Sequence, residues 1–158
     1  MDRPSVYIET SIVSYLAARP SRDPVALRNQ QLTHAWWNTR RQGYALYTSE
    51  TVLDEAAAGD PQMAEARTRL LVSIPFLHPG EEVQSLAAEL RQGVPLPPRA
   101  ATDALHLAVG VYYGMAYLLT WNCKHIANPR LKGRIEEICS RAGYRVPNLC
   151  TPREMLGE

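Results

Sequence analysis

VYIETSI, residues 6–12, is the stretch on which the reading of the fold turns. Val6, Tyr7 and Ile8 are apolar without alternation, the pattern of a strand covered on both faces. Glu9 follows at once, and a carboxylate at the end of a core strand is costly unless something pairs with it. Thr10 and Ser11 suggest one answer. They look like capping residues ahead of a helix over Ile12–Ala18, and an acid there gains up to about 1 kcal/mol from the helix dipole. The other answer is an acid placed at the ligand-binding edge of a sheet. Position alone does not separate the two.

Working outward, further strands are expected at Ser5–Ile8, Tyr44–Thr48, Phe76–His78, Tyr117–Thr120 and Asn148–Cys150. Helical patterns fill the intervals: Pro24 to Arg41, a helix from about Ser49, then about Gln62–Val72, Glu81–Arg91, Ala100–Tyr113 and Leu131–Ala142. Gly59-Asp60-Pro61 supplies a helix stop, an N-cap and a first-turn proline in succession. Strands alternating with helices imply an α/β protein with a parallel sheet covered on both faces. Ligands of such sheets bind beyond the carboxyl ends of the strands. Glu9 falls at that edge for the first strand and Asn122 for the strand Tyr117–Thr120. No repeat, low-complexity tract or linker interrupts the chain, so residues 1–158 read as one domain.

Composition excludes more than it assigns. A formal net charge of +1 gives no overall basic field, so an anionic substrate needs local basic residues or metal ions. Cys123, Cys139 and Cys150 have no metal-ligand spacing, and their odd number favours thiols in a reducing compartment. The start lacks a secretory pattern, and no apolar run is long enough for a bilayer. The expectation is a soluble cytoplasmic protein with no membrane partner. A nucleotide-binding domain would need GxGxxG or GxxxxGK[ST], and neither occurs. A phosphoacceptor domain would need paired acids after the first strand, where Glu9 stands alone.

Three more places carry candidate chemistry. In SETVLDEAAAGD, residues 49–60, Ser49 is a good N-cap, and Val52, Leu53, Ala56 and Ala57 form a buried stripe. Asp54 and Glu55 flank that stripe by similar angles, and helical geometry does not choose between them. In RAATDALHLAVG, residues 99–110, Asp103 sits in the first turns of an apolar helix, with His106 three residues on and on the same face. The pair suits metal ligation, a base with its orienter, or a structural hydrogen bond. In YLLTWNCKHIANP, residues 117–129, Asn122 either caps a turn or places an amide oxygen at the sheet edge. Carboxylates gathered at one edge repel unless a cation neutralises them. Oxygen donors without cysteine suit Mg²⁺ or Mn²⁺. Such ions activate water and stabilise a phosphodiester undergoing displacement.

The ordered set VYIETSIVSYL, SETVLDE, TDALHLA and LLTWN, between Val6 and about Asn128, resembles the PIN-domain nucleases, in particular the VapC-type toxin ribonucleases of type II toxin–antitoxin systems. The resemblance implies a three-layer α/β/α fold with a five-stranded, mostly parallel sheet and acids meeting at its C-terminal edge. It implies metal-dependent endonucleolytic cleavage of RNA with Mg²⁺ or Mn²⁺. Glu9 takes the first acidic position, where the family usually has Asp; Glu55 takes the second, Asp103 the third and Asn122 the fourth. Glu9, Asp103 and Glu55 are then the metal ligands, with Thr10, Ser11, Thr120 and His106 supporting the pocket. Arg99, Lys124 and His125 lie near these motifs as RNA contacts or as ordinary surface residues. Homodimerisation and a small antitoxin partner follow from the same resemblance. Glu9 is one methylene longer than Asp and Asn122 lacks a charge, which keeps a second expectation alive: the same fold with a degenerate site, acting as a binding module. Trp36 lies on an apolar stripe and reads as core; Trp37, rotated by about 100°, points towards an interface.

Overall fold

The computed structural model describes residues 2–158. Its centre is the strand β1, Ser5–Ile8, whose Val6, Tyr7 and Ile8 are fully buried. The other strands are β2 (Ala45–Ser49), β3 (Phe76–Leu77), β4 (Tyr117–Leu119) and β5 (Asn148–Cys150), in the spatial order β3-β2-β1-β4-β5. Every pairing is parallel, with Tyr7 opposite Tyr47 on one side and Leu118 on the other. The α/β sheet expected from alternation is therefore present, and it is parallel throughout. The strand order reverses direction at β1, so the crevice beyond its carboxyl end is the switch point where ligands of such sheets collect.

Eight α-helices, α1 (Thr10–Ala17), α2 (Pro24–Thr39), α3 (Glu50–Ala56), α4 (Pro61–Leu71), α5 (Glu81–Gly93), α6 (Ala101–Tyr112), α7 (Pro129–Arg141) and α8 (Pro152–Met155), occur among the described residues. Their starts are written in the sequence. Asp23, Ser49, Asp60 and Asn128 each accept a backbone N–H as N-cap, and Pro24, Pro61 and Pro129 open the first turn. α1 begins at Thr10, two residues before the expected Ile12, because Glu9 itself is the N-cap. The short α8 was not anticipated; Thr151 and Glu154 close a capping box around it. Trp36 is fully buried, as its stripe predicts. Trp37 is half-buried, with the Arg41 guanidinium 4.8 Å from its ring centre.

α6 is the helix that reaches the site, and it approaches the sheet closely. A Cβ on Gly110 would lie 3.1 Å from Leu118 Cδ1 and 3.7 Å from Pro147 Cγ. Replacing Gly110 with Val forces α6 away from β4, and overpacking of this kind costs about 1–3 kcal/mol. Urea unfolding of Gly110→Val should show a lower midpoint with an unchanged slope.

Candidate active site

The strand β1 ends in Glu9, which is 5% exposed. Three donors converge on its Oε1: the Ser11 amide at 3.1 Å, the Ser11 hydroxyl at 2.5 Å and the Thr120 hydroxyl at 2.6 Å. Thr120 follows β4, so the first acid is held jointly by its own helix and by the neighbouring strand. Both readings of Glu9 hold at once: it caps α1, and it presents a carboxylate at the sheet edge. Among the described residues, no donor is bonded to its Oε2, and no Lys or Arg pairs with it.

Glu55, from α3, stands across from it. Its Oε1 accepts from the Thr10 hydroxyl at 2.5 Å and from His106 Nε2 at 2.6 Å. Asp54 is exposed and enters no hydrogen bond or ion pair among the described residues, so the structure separates the two acids that the helical wheel left equivalent. One oxygen each of Glu9 and Glu55 and one nitrogen of His106 lie within 4.8 Å of one another. Ligands on an ion at about 2.1 Å stand roughly 3–4 Å apart, so small adjustments bring the carboxylates to that spacing. Hard oxygen donors, one of them buried without a cationic partner, fit Mg²⁺ or Mn²⁺.

His106 is fully buried, and both its nitrogens are engaged. Nδ1 lies 2.7 Å from the Tyr7 hydroxyl, which lies 2.7 Å from the Ser49 hydroxyl. Burial opposes ionisation of Glu55, but the hydrogen bond and charge of His106, with the Thr10 bond, outweigh it and hold this carboxyl below its ordinary value. Burial pushes the Tyr7 hydroxyl well above its ordinary value, against the Ser49 bond, with the charges of Glu9 and Glu55 adding to the rise. Glu55 is thus an acceptor and Tyr7 keeps its proton. His106 Nε2 donates to Glu55, and its Nδ1 continues the chain through the Tyr7 hydroxyl to that of Ser49. This chain orients Glu55 from behind. It suits His106 to a supporting place rather than to direct ligation.

Asp103 lies outside that group. Sequence spacing puts it on the face of α6 that carries His106, yet His106 bonds across to Glu55, and Asp103 Oδ2 instead lies 2.8 Å from His125 Nδ1. The His125 amide donates to Asn122 Oδ1 at 2.9 Å, and the Asn122 amide donates to Thr120 Oγ1 at 2.9 Å. A continuous chain, Asp103–His125–Asn122–Thr120–Glu9, therefore ties the third and fourth positions to the first. Asn122 serves as a turn cap at the sheet edge, and its carbonyl oxygen is occupied there. Lys124 and Arg99 are exposed. The link through His125 is not legible in the sequence, where this residue reads as an RNA contact or a surface residue and stands 22 positions from Asp103.

No protein-family model matches the chain, and no curated protein matches it. Solved structures do. VapC20 of Mycobacterium tuberculosis, a Sarcin-Ricin loop cleaving toxin, aligns with a TM-score of 0.59 at 17% identity, over 89% of this chain and 96% of that one. This chain has the fold of a VapC toxin. VapBC2 from Rickettsia felis, bound to a DNA fragment from their promoter, aligns with a TM-score of 0.59 at 13% identity, over 93% of this chain and 98% of that one. In this VapC-like, PIN-like fold, Glu9 and Asn122 lie at the C-terminal edge of the adjacent strands β1 and β4.

Two outcomes follow. Tyr7→Phe leaves the buried His106 Nδ1 without its hydrogen-bond partner, which costs about 1–3 kcal/mol and should appear as a lower unfolding midpoint. A carboxyl depressed by folding stabilises the protein above its unfolded value and loses that contribution as pH falls through the folded value. Glu55→Gln should therefore be less stable than the unaltered protein at neutral pH. The gap should close as pH falls below the ordinary carboxylate range, as followed by urea titrations across that range.

Proposed function

We propose that this protein is a metal-dependent endoribonuclease that hydrolyses RNA phosphodiester bonds, acting as the toxin of a type II toxin–antitoxin pair. The observation that carries the reading is the pairing of Glu9 and Glu55. Each has one oxygen fastened by hydroxyl or imidazole donors and the other without a hydrogen bond, at the ligand edge of a VapC-like fold. Glu9, Glu55 and Asp103 would hold Mg²⁺ or Mn²⁺, which when bound supplies water activation and charge stabilisation at the phosphate. The chain's own part is preorganisation. Ser11, Thr120 and Thr10 fix the carboxylates, His106 sets the orientation of Glu55, and His125 sets that of Asp103. Lys124 and Arg99, both exposed, would meet the RNA backbone.

The VapBC2 neighbour supports a protein antitoxin as partner, and the resemblance in sequence supports a homodimer. Cys123, Cys139 and Cys150 are all unpaired, in keeping with a reducing, cytoplasmic setting. No helix among the described residues is long and apolar enough to cross a membrane.

A second reading, the degenerate binding module, draws on the position of Asp103, which pairs with His125 rather than joining the Glu9–Glu55 group. Cleavage of a mixed RNA pool with Mg²⁺, Mn²⁺ or EDTA separates the two. The nuclease reading expects cutting that EDTA abolishes and that Asp103→Asn lowers by about 100-fold or more. Cutting that is indifferent to metal or to Asp103→Asn counts against it. Absence of cutting together with no Mn²⁺ uptake by titration calorimetry favours the module.

A further inference from the structure

A hollow of about 530 Å³ opens between α1 and α2, beside the acidic edge. Its lining includes Ser11, Tyr15, Arg19, Ser21, Ala26 and Gln30. The volume falls in the range of small-ligand sites, about 300–1,000 Å³. Ser11 is the link to the acids: its hydroxyl donates to Glu9 and accepts from the Trp121 amide at 2.8 Å. Trp121 is in turn held by its indole N–H, which donates to Thr33 Oγ1 at 2.7 Å. The Tyr15 ring stands edge-on to Trp121, with centres 5.9 Å apart and planes at 74°. An aromatic face is thus fixed one helical turn along α1 from the residue that bonds the catalytic carboxylate.

The backbone that carries the cation at the other end of the hollow is held as well. Buried Gln30 clamps the loop between α1 and α2 from both sides of its amide. It accepts from the Ser21 N–H at 2.8 Å and donates to the Arg19 carbonyl at 2.9 Å. Arg19 is exposed and enters none of the ion pairs among the described residues. Asp60, which lines an adjoining hollow with Arg19, is engaged as the N-cap of α4. A rigid aromatic plane, a free guanidinium and a path to the metal-binding carboxylates form the combination that holds single-stranded nucleic acid: base on ring, phosphate on cation.

We propose that this hollow is the subsite for an unpaired nucleotide flanking the scissile phosphate, with Tyr15 stacking its base and Arg19 holding its phosphate. The proposal rests on the nuclease reading for its substrate class, and it adds that the RNA must be single-stranded there, since a base within a duplex is already stacked.

The test is binding of a short, fluorescein-labelled single-stranded RNA of mixed sequence by anisotropy, in EDTA so that nothing is cut, over a range of salt. Tyr15→Ala should weaken binding by about 10- to 100-fold, the loss of one base–aromatic stack, and Tyr15→Phe should restore it. Arg19→Gln, at an exposed position that folding does not need, should lower the slope of log affinity against log salt by about 0.7, one phosphate contact. Unchanged affinity in Tyr15→Ala with an unchanged slope in Arg19→Gln overturns the subsite, as does equal affinity for duplex RNA or no binding by the unaltered protein. If RNA is cut yet both variants bind normally, the subsite fails and the nuclease stands. If the variants bind as expected yet nothing is cut, the subsite stands and the nuclease fails.

Discussion

One buried carboxylate oxygen organises this protein. Glu9 Oε1 takes donors from α1 and from the residue after β4, so the end of the central strand, the start of the first helix and the crossing loop meet at a single atom. A carboxylate so enclosed costs free energy unless its bonds are made. Here they are made on one oxygen and leave the other uncommitted. One side chain thus has one oxygen bound into the fold and one open at the sheet edge. Glu55 repeats the division, with Thr10 and His106 on Oε1 and no hydrogen bond to Oε2 among the described residues.

Much of the fold was legible because local signals agreed with the global arrangement. The unalternating VYI and YLL segments mark strands covered on both faces, and Asp60-Pro61 marks a helix start. The residues at the sheet edge were legible for the same reason, since a strand's end is also its ligand end. Boundaries were less so. The first helix is expected at Ile12 because Thr10 and Ser11 read as its capping residues, whereas Glu9 is the cap and both lie inside the helix.

What the sequence could not express is partnership across the sheet. His106 lies three residues from Asp103, and helical geometry makes the two neighbours, but its partners are Tyr7, 99 positions away, and Glu55, 51 positions away. Asp103 pairs with His125, whose place depends on a turn capped by Asn122. Asp54 and Glu55 are equivalent on a wheel, and only the position of Thr10 and His106 separates them. Such pairings depend on tertiary placement, to which a period of 3.6 or 2 is blind.

The parallel order β3-β2-β1-β4-β5 also has a consequence in time. β1 emerges first during synthesis, but the hydroxyl that completes the setting of Glu9 belongs to Thr120, and β1 cannot be flanked on both sides until Tyr117–Leu119 has been made. Contacts of such sequence separation form late, because the chain must close a long loop before they reward it. A nascent or truncated chain therefore carries the acids without their geometry. The site is assembled only after Thr120 has joined the chain.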